Sequence, residues 1–284
     1  MNPTPSVLGI FGDPIGHSLS PLMHTTAACY HSLNYVYLPF WVKTGQLPAA
    51  TAGMRALGIK GINVTIPHKQ AIMRLVDEVT PEAQLIGALN TIVNREGVLI
   101  GYNTDGPGFI ASLRQDAGED PQGKRVLLLG AGGAARAIAI HLILEGIEGL
   151  TIANRTPEKA RQLASYIREK LDFSSQVFSL ESEEINPLLP QVDMIINSTS
   201  VGMHPGDPSL FDYRRIEAHH LICDIVYRPL ETPLLLAARE RGAKILDGLG
   251  MLIRQGALAF DIWTSFPMPV ELVRQKLLQE LTTP

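Results

Sequence analysis

A lysine that ends a strand-like run can move a proton in a sheet-edge site if a carboxylate stands beside it, and this chain offers such a pair. Lys69 closes the stretch Asn63-Val-Thr65-Ile-Pro-His-Lys69, which continues the apolar Gly61-Ile62. The pattern predicts a strand running directly into an amphipathic helix to about Asp77, with Thr65 and Lys69 at the strand's carboxyl edge and in the first helical turn. The positive end of a helix disfavours a cation, so a lysine there gives up its proton more readily unless a carboxylate compensates, which suits general acid or base chemistry. Asp105 is the candidate carboxylate. Gly87 to Val93 and Val98 to Asp105 flank Asn94-Arg-Glu-Gly97, a hairpin signature with Gly97 available for a left-handed turn. Antiparallel pairing brings Asn90 and Asp105 to one end. Two plainer readings compete: a solvated surface lysine, and Asp105 as the cap of a helix from Gly106 to Leu113.

Hydroxyls form the second group. Val7 to Phe11 reads as a buried strand entering Gly12-Asp-Pro-Ile-Gly-His-Ser18-Leu-Ser20-Pro21. Ser20 before Pro21 is an expected N-cap of a helix reaching about Leu33, which sets Ser18 and Ser20 beside a helix start at a strand's carboxyl end. Small ligands bind at that edge of α/β sheets, so Ser20 is open to both roles, cap and ligand.

The third group is glycines. In Lys124-Arg-Val-Leu-Leu-Leu-Gly130-Ala131-Gly132-Gly133-Ala134-Ala135-Arg136 an apolar run of strand length meets clustered glycines and then the helix-forming Ala137 to Leu144. That order suits a dinucleotide: Gly130 permits the turn, Gly132 lets the backbone approach a pyrophosphate, and Ala135 lets helix and strand pack closely. The next strand ends Asn154-Arg155-Thr156, with Lys159 following. An acid there would bind a ribose 2′-hydroxyl, whereas a guanidinium pairs with a 2′-phosphate, so NADP is expected over NAD; a surface arginine is the alternative. Further on come the polar loop Asn197-Ser-Thr-Ser-Val-Gly202-Met203, Tyr227 at a strand end, a helix capped by Thr232, and Asp247-Gly248-Leu-Gly250-Met251 ahead of a helix carrying Gln255. Met251 also reads as a core residue filling a gap.

Strands and helices alternate along the chain, which predicts βαβ units and mostly parallel sheets. With 284 residues, 45% hydrophobic and 18% charged, it is long enough for two ordered domains. The formal net charge of -4 gives no electrostatic reason to expect nucleic acid or an anionic membrane. No apolar run spans a bilayer and Met1 to Ser6 lacks the pattern of a secretory signal. Cys29 and Cys223 read as two buried, reduced thiols, so the cytoplasm is the expected compartment. The histidines lack ligand spacing, so no metal is expected. The final helix, Val270 to Leu281, carries an apolar face that either packs back on the protein or serves a dimer, leaving monomer and homodimer both open.

Taken together, Gly12 to Pro21, Asn63 to Lys69, Gly87-Ala-Leu-Asn-Thr91, Asn103-Thr-Asp-Gly106, Gly130 to Ala134, Asn154-Arg-Thr156 and Asp247 to Met251 resemble the ordered motifs of the shikimate dehydrogenases, from about residue 8 to residue 265. The resemblance implies reversible reduction of 3-dehydroshikimate to shikimate with NADPH, in aromatic amino acid biosynthesis. It implies Lys69 with Asp105 as the acid/base pair, and Ser18, Ser20, Thr65, Asn90, Asp105, Tyr227 and Gln255 as substrate ligands. Cofactor contacts would come from Gly130, Ala131, Gly132, Gly133, Ala134, Asn154, Arg155, Thr156, Lys159, Ile225, Gly248 and Met251. The expected fold is α/β with two domains: a Rossmann-type doubly wound parallel sheet over 106–254, and an α/β substrate domain with a mixed, mainly parallel sheet over 1–105 and 255–284. The resemblance also implies a cleft between the halves that closes on binding. Pro81, where a helix-forming polar or acidic residue is expected, is a departure. A quinate/shikimate dehydrogenase with relaxed substrate or NAD use, and a non-catalytic NADP-binding sensor, are the alternatives.

Overall fold

The computed structural model describes residues 4–180 and 183–282. It divides into two compact units, Met1–Gly108 with Ile253–Pro284, and Phe109–Leu252.

The first unit begins with β1 (Ser6–Gly12), α1 (Ser20–Tyr30), β2 (Tyr35–Trp41), α2 (Leu47–Ala56) and β3 (Gly61–Val64). It continues with β4 (Glu78–Val79), α3 (Pro81–Ile86), β5 (Thr91–Arg95), β6 (Val98–Tyr102) and the start of α4 (Asp105–Gln115). The sheet order is β2-β1-β3-β5-β6-β4. β2 and β3 run parallel to β1, β5 lies antiparallel between β3 and β6, and β4 is parallel to β6, which makes a mixed, mainly parallel sheet. All four residues of β3 are buried, as a central strand requires. The hairpin turns where expected: Glu96 and Gly97 both have positive φ, 53° and 94°, the conformation that matches the strands' twist. Pro81 suits its place, because Thr80 caps α3 and proline occupies the first turn, where its missing N–H costs nothing.

Three local expectations fail. No amphipathic helix runs to Asp77; Lys69 sits in a turn that leads into a single 3-10 turn over Ala71–Arg74. Asp77 is drawn into strand pairing instead, its N–H donating to Leu99 O at 2.9 Å and its carboxylate accepting from Leu99 N at 2.7 Å. The helix-dipole argument for Lys69 therefore loses its helix. Ser20 is not the N-cap of α1 but its first residue; Leu19 holds the cap position without a side-chain bond, and Ser20 N–H donates to Ser18 Oγ at 3.2 Å. Asp105 does not cap α4 either, since Asn103 Oδ1 accepts from the N–H of Asp105 and of Gly106.

The second unit contains β7 (Arg125–Leu129), α5 (Gly133–Leu144), β8 (Gly149–Asn154), α6 (Pro157–Leu171) and β9 (Ser175–Ser179). These are followed by β10 (Met194–Asn197), β11 (Leu221–Asp224), α7 (Pro233–Glu240), β12 (Lys244–Leu246) and the start of α8 (Gly248–Thr264). Its strands are all parallel in the order β12-β11-β10-β7-β8-β9. Renumbered within the unit this is the doubly wound order, with the reversal point between β7 and β10, where such sheets bind ligands. Leu127, Leu129, Ile195 and Ile222 on the central strands pack with Leu234, Leu235 and Ala238 of α7 to form the core on one face. Thr232 caps α7 as expected, its Oγ accepting from Leu235 N at 3.3 Å.

The chain ends in α9 (Val270–Thr282), which packs on α1 in the first unit and buries Val273 and Leu277. Leu278 of the same stripe stays 36% exposed. Cys223 is buried but Cys29 is exposed, against the expectation of two buried thiols, because it lies on the outer face of α1; both are free. No helix among the described residues is long and apolar enough to cross a membrane.

Candidate functional site

In the first unit the parallel strands β1 and β3 deliver Ser18, Ser20, Thr65 and Lys69 to their carboxyl ends, and the hairpin β5–β6 delivers Asn90 and Asp105 to the same edge. Lys69 Nζ lies 2.5 Å from Asp105 Oδ2, with 15% and 6% of the two side chains exposed. The other carboxylate oxygen accepts from Asn90 Nδ2 at 2.9 Å. The same amide group donates to Gln255 Oε1 at 3.2 Å and to Thr104 Oγ1 at 2.9 Å, while Thr104 N–H donates to Asn90 Oδ1 at 2.8 Å. A nearly buried ammonium group paired with a fixed carboxylate can pass a proton to a bound oxygen and take it back.

Behind this pair lies a polar network that the sequence reading did not identify. Tyr37 Oη donates to Asn63 Oδ1 at 2.7 Å, and Asn63 Nδ2 donates to the carbonyl of Asn90 at 3.2 Å and to Thr91 Oγ1 at 3.1 Å. Ser20 stands beside the Tyr37 hydroxyl; burial pushes the Tyr37 pKa well up, so the phenol keeps its proton. Tyr37, Asn63 and Thr91 are all buried. The available signal was Asn63 itself, a polar residue within the otherwise apolar β3, where a buried amide requires partners.

The second unit carries the features expected of a phosphate site. Gly130 has φ 115°, and a Cβ there would sit 2.6 Å from Ser198 Oγ, so both its backbone angle and its neighbour exclude a side chain. Gly132 holds the N-cap of α5 in extended backbone with no side-chain cap bond, which leaves first-turn N–H groups without a side-chain acceptor. Ala135 is fully buried against the sheet. Gly132 is exposed, with Ala131, Gly133 and Ala134 half-buried around it. This helix start fits a dinucleotide's phosphates. At the end of β8, Asn154 Nδ2 donates to the carbonyl of Thr156 at 2.8 Å and shapes a turn from which Arg155, Thr156 and Lys159 are exposed. Such a group of donors fits a 2′-phosphate better than a bare 2′-hydroxyl. Gly248 lies against the Ile225 carbonyl, where a Cβ would collide, and Met251 is buried nearby in α8. Ile225 and Tyr227, just after β11, are half-buried.

Comparison with known proteins agrees with this geometry. Family profiles described as shikimate dehydrogenase substrate binding domain, shikimate/quinate 5-dehydrogenase and shikimate 5′-dehydrogenase C-terminal domain match residues 10–92, 112–205 and 248–278. The NADP(+) shikimate dehydrogenase of Desulforamulus reducens is 42% identical over 99% of this chain and 97% of its own. A crystal structure of shikimate dehydrogenase in complex with NADP+ superposes with a TM-score of 0.93 at 42% identity, covering 100% of this chain and 98% of that one. The Thermus thermophilus shikimate 5-dehydrogenase in complex with NADP(H) and shikimate gives 0.86 at 34% identity, covering 96% and 99%. With the paired lysine and carboxylate in one unit and the doubly wound phosphate-binding sheet in the other, the chain belongs to the shikimate dehydrogenase family.

Proposed function

We propose that this chain interconverts 3-dehydroshikimate and shikimate with NADP(H), and that the Lys69–Asp105 pair carries the proton. The observation behind this reading is the 2.5 Å contact between Lys69 Nζ and Asp105 Oδ2, with Asn90 fixing the second carboxylate oxygen. Bound NADPH supplies the hydride. Charge then grows on the ketone oxygen, and Lys69 gives it a proton; in the oxidative direction Lys69 takes the proton from the hydroxyl. Asp105 holds Lys69 in position, Asn90 holds the carboxylate from behind, and Gln255 accepts from the Asn90 amide. Ser18, Ser20 and Thr65 bind the ring's other polar groups and Tyr227 completes the substrate set.

Residues 1–105 with 255–284 form the substrate domain and 106–254 the NADP domain. On the latter, Gly130 to Ala134 cradle the pyrophosphate, Asn154, Arg155, Thr156 and Lys159 hold the 2′-phosphate, and Ile225, Gly248 and Met251 border the nicotinamide. The enzyme works in the cytoplasm as a monomer or homodimer, and light scattering that gave a higher oligomer would contradict this.

Steady-state kinetics of Lys69→Ala test the central assignment. The expected result is a fall in kcat of about 10²–10⁴-fold with the shikimate KM little changed, because the proton is needed in the transition state. A retained kcat with a raised KM would make Lys69 a binding residue only.

A further inference from the structure

Asp224 ends β11 with 1% of its surface exposed, and among the described residues no ammonium or guanidinium group hydrogen-bonds it. Three neutral donors converge on it. Asn197 Nδ2 at 2.9 Å and Val226 N at 3.0 Å reach Oδ1, and Thr232 Oγ1 reaches Oδ2 at 2.7 Å. These donors come from the end of β10, the segment after β11 and the cap of α7, so one carboxylate ties together three segments at the sheet's carboxyl edge.

Asn197 passes the constraint on. Its amide group also donates to the carbonyl of Val201 at 3.0 Å, and its Oδ1 accepts from the N–H and hydroxyl of Thr199 at 3.0 and 2.7 Å. The loop 198–202 is thereby folded back over its own strand. At its start, Ser198 donates to the Leu129 carbonyl from both N and Oγ, at 2.8 and 2.7 Å, immediately before the Gly130 turn. Val226 N–H fixes the segment that carries Ile225, whose own N–H bonds the carbonyl of Asn197 at 3.0 Å.

We propose that Asp224 is a positioning residue for the dinucleotide: its ionised carboxylate sets the 198–202 loop and the Ile225 segment against the Gly130 turn, and protonation loosens them. The inference rests on the reading that NADP binds at that turn. An ionised carboxylate only accepts hydrogen bonds, which matches three donors; a protonated one carries a donor on one oxygen and accepts more weakly, so the three donors are no longer matched. Burial raises the Asp224 pKa to about 6, only partly offset by Thr232, Val226 and Asn197, so this exchange falls close to working pH. The titratable groups facing it are Tyr213 and Cys223, both pushed up by burial and therefore neutral at that pH, and Asp247, which borders the same small cavity. Asp207, which accepts from Gly202 N and His204 N at the loop's far end, is held low by those bonds and stays charged, with His204 beside it.

The experiment is NADP+ dissociation constants by calorimetry between about pH 5 and pH 8 for the full chain, Asp224→Asn, Thr232→Ser and Thr232→Val. The cofactor's own 2′-phosphate titrates near 6, so the readout is the ratio of each variant to the unaltered chain, from which that common effect cancels. Asp224→Asn is expected to bind about tenfold more weakly at pH 8, with the ratio falling to about threefold at pH 5.5 and about twofold at pH 5 as the native carboxylate is protonated in turn. Thr232→Ser should bind as the unaltered chain does and Thr232→Val should weaken binding at pH 8. A ratio that stays constant across pH reduces Asp224 to a structural role, and a ratio of one throughout overturns the proposal. Thr232→Val and Thr232→Ser keep the test open if Asp224→Asn does not fold; indistinguishable binding by these two would then overturn the proposal. Gly132→Asp tests the underlying reading separately: unchanged NADP+ binding there would refute cofactor binding at the turn itself.

Discussion

His24 gives the sharpest quantitative prediction. Its ring is 1% exposed on α1 and stacked on Tyr37 at 4.5 Å between centroids, with the Asn63 side chain as its weak polar neighbour. Burial, only partly offset by Asn63, lowers its pKa from 6.5 to about 3. The folded chain thus refuses a proton that the unfolded chain accepts below pH 6.5, so the stability tied to the neutral ring is complete above that pH and is lost as pH falls toward 3. At about pH 4.5 the loss is about 3 kcal/mol. His24→Leu keeps an apolar side chain of similar size and removes the titration. Urea unfolding of both proteins at about pH 7.5 and pH 4.5 gives a double difference in which the acid titration of all the carboxylates common to the two chains cancels. The native chain is expected to lose about 3 kcal/mol more than the variant on acidification. Equal losses would mean that the buried ring is protonated at little cost, and the reasoning about its surroundings would be wrong.

Two other substitutions test the second unit. Arg155→Ala should lower kcat/KM with NADP+ by roughly 10–100-fold and leave that with NAD+ almost unchanged, since only the former carries the 2′-phosphate a guanidinium pairs with; equal effects on both cofactors would put Arg155 elsewhere. Gly248→Ala drives a Cβ into the Ile225 carbonyl and should cost about 1–3 kcal/mol by overpacking, read as a lower urea midpoint. An unshifted midpoint would show that the α8 start has room to give.

Most strands and helices and the doubly wound order were legible because their signals are local: apolar runs, the Gly97 turn, the glycines after β7, and proline after a capping threonine at Thr232; the same cap at Thr80 went unread. The helix after Lys69 is misread where a distant partner overrides a local pattern, as Leu99 does for Asp77, and the cap at Ser20 because the helix begins one residue earlier. The polar network behind the site was invisible for a geometric reason. Tyr37 pairs with Leu8 and Asn63 pairs with Ile10, on opposite flanks of β1. Leu8 and Ile10 are two residues apart and share a face, so Tyr37 and Asn63 lie over that same face with a whole strand between them, about 9.6 Å across. A short polar side chain at residue 37 could not cross that gap; a tyrosine reaches over the strand and still places its hydroxyl 2.7 Å from Asn63 Oδ1. Asn63 then holds the Asn90 carbonyl, and Asn90 holds the carboxylate that holds Lys69. The aim of the proton-carrying residue is therefore fixed by a residue on the far side of the first strand, a dependence that follows from sheet order and register and that no local stretch of sequence contains.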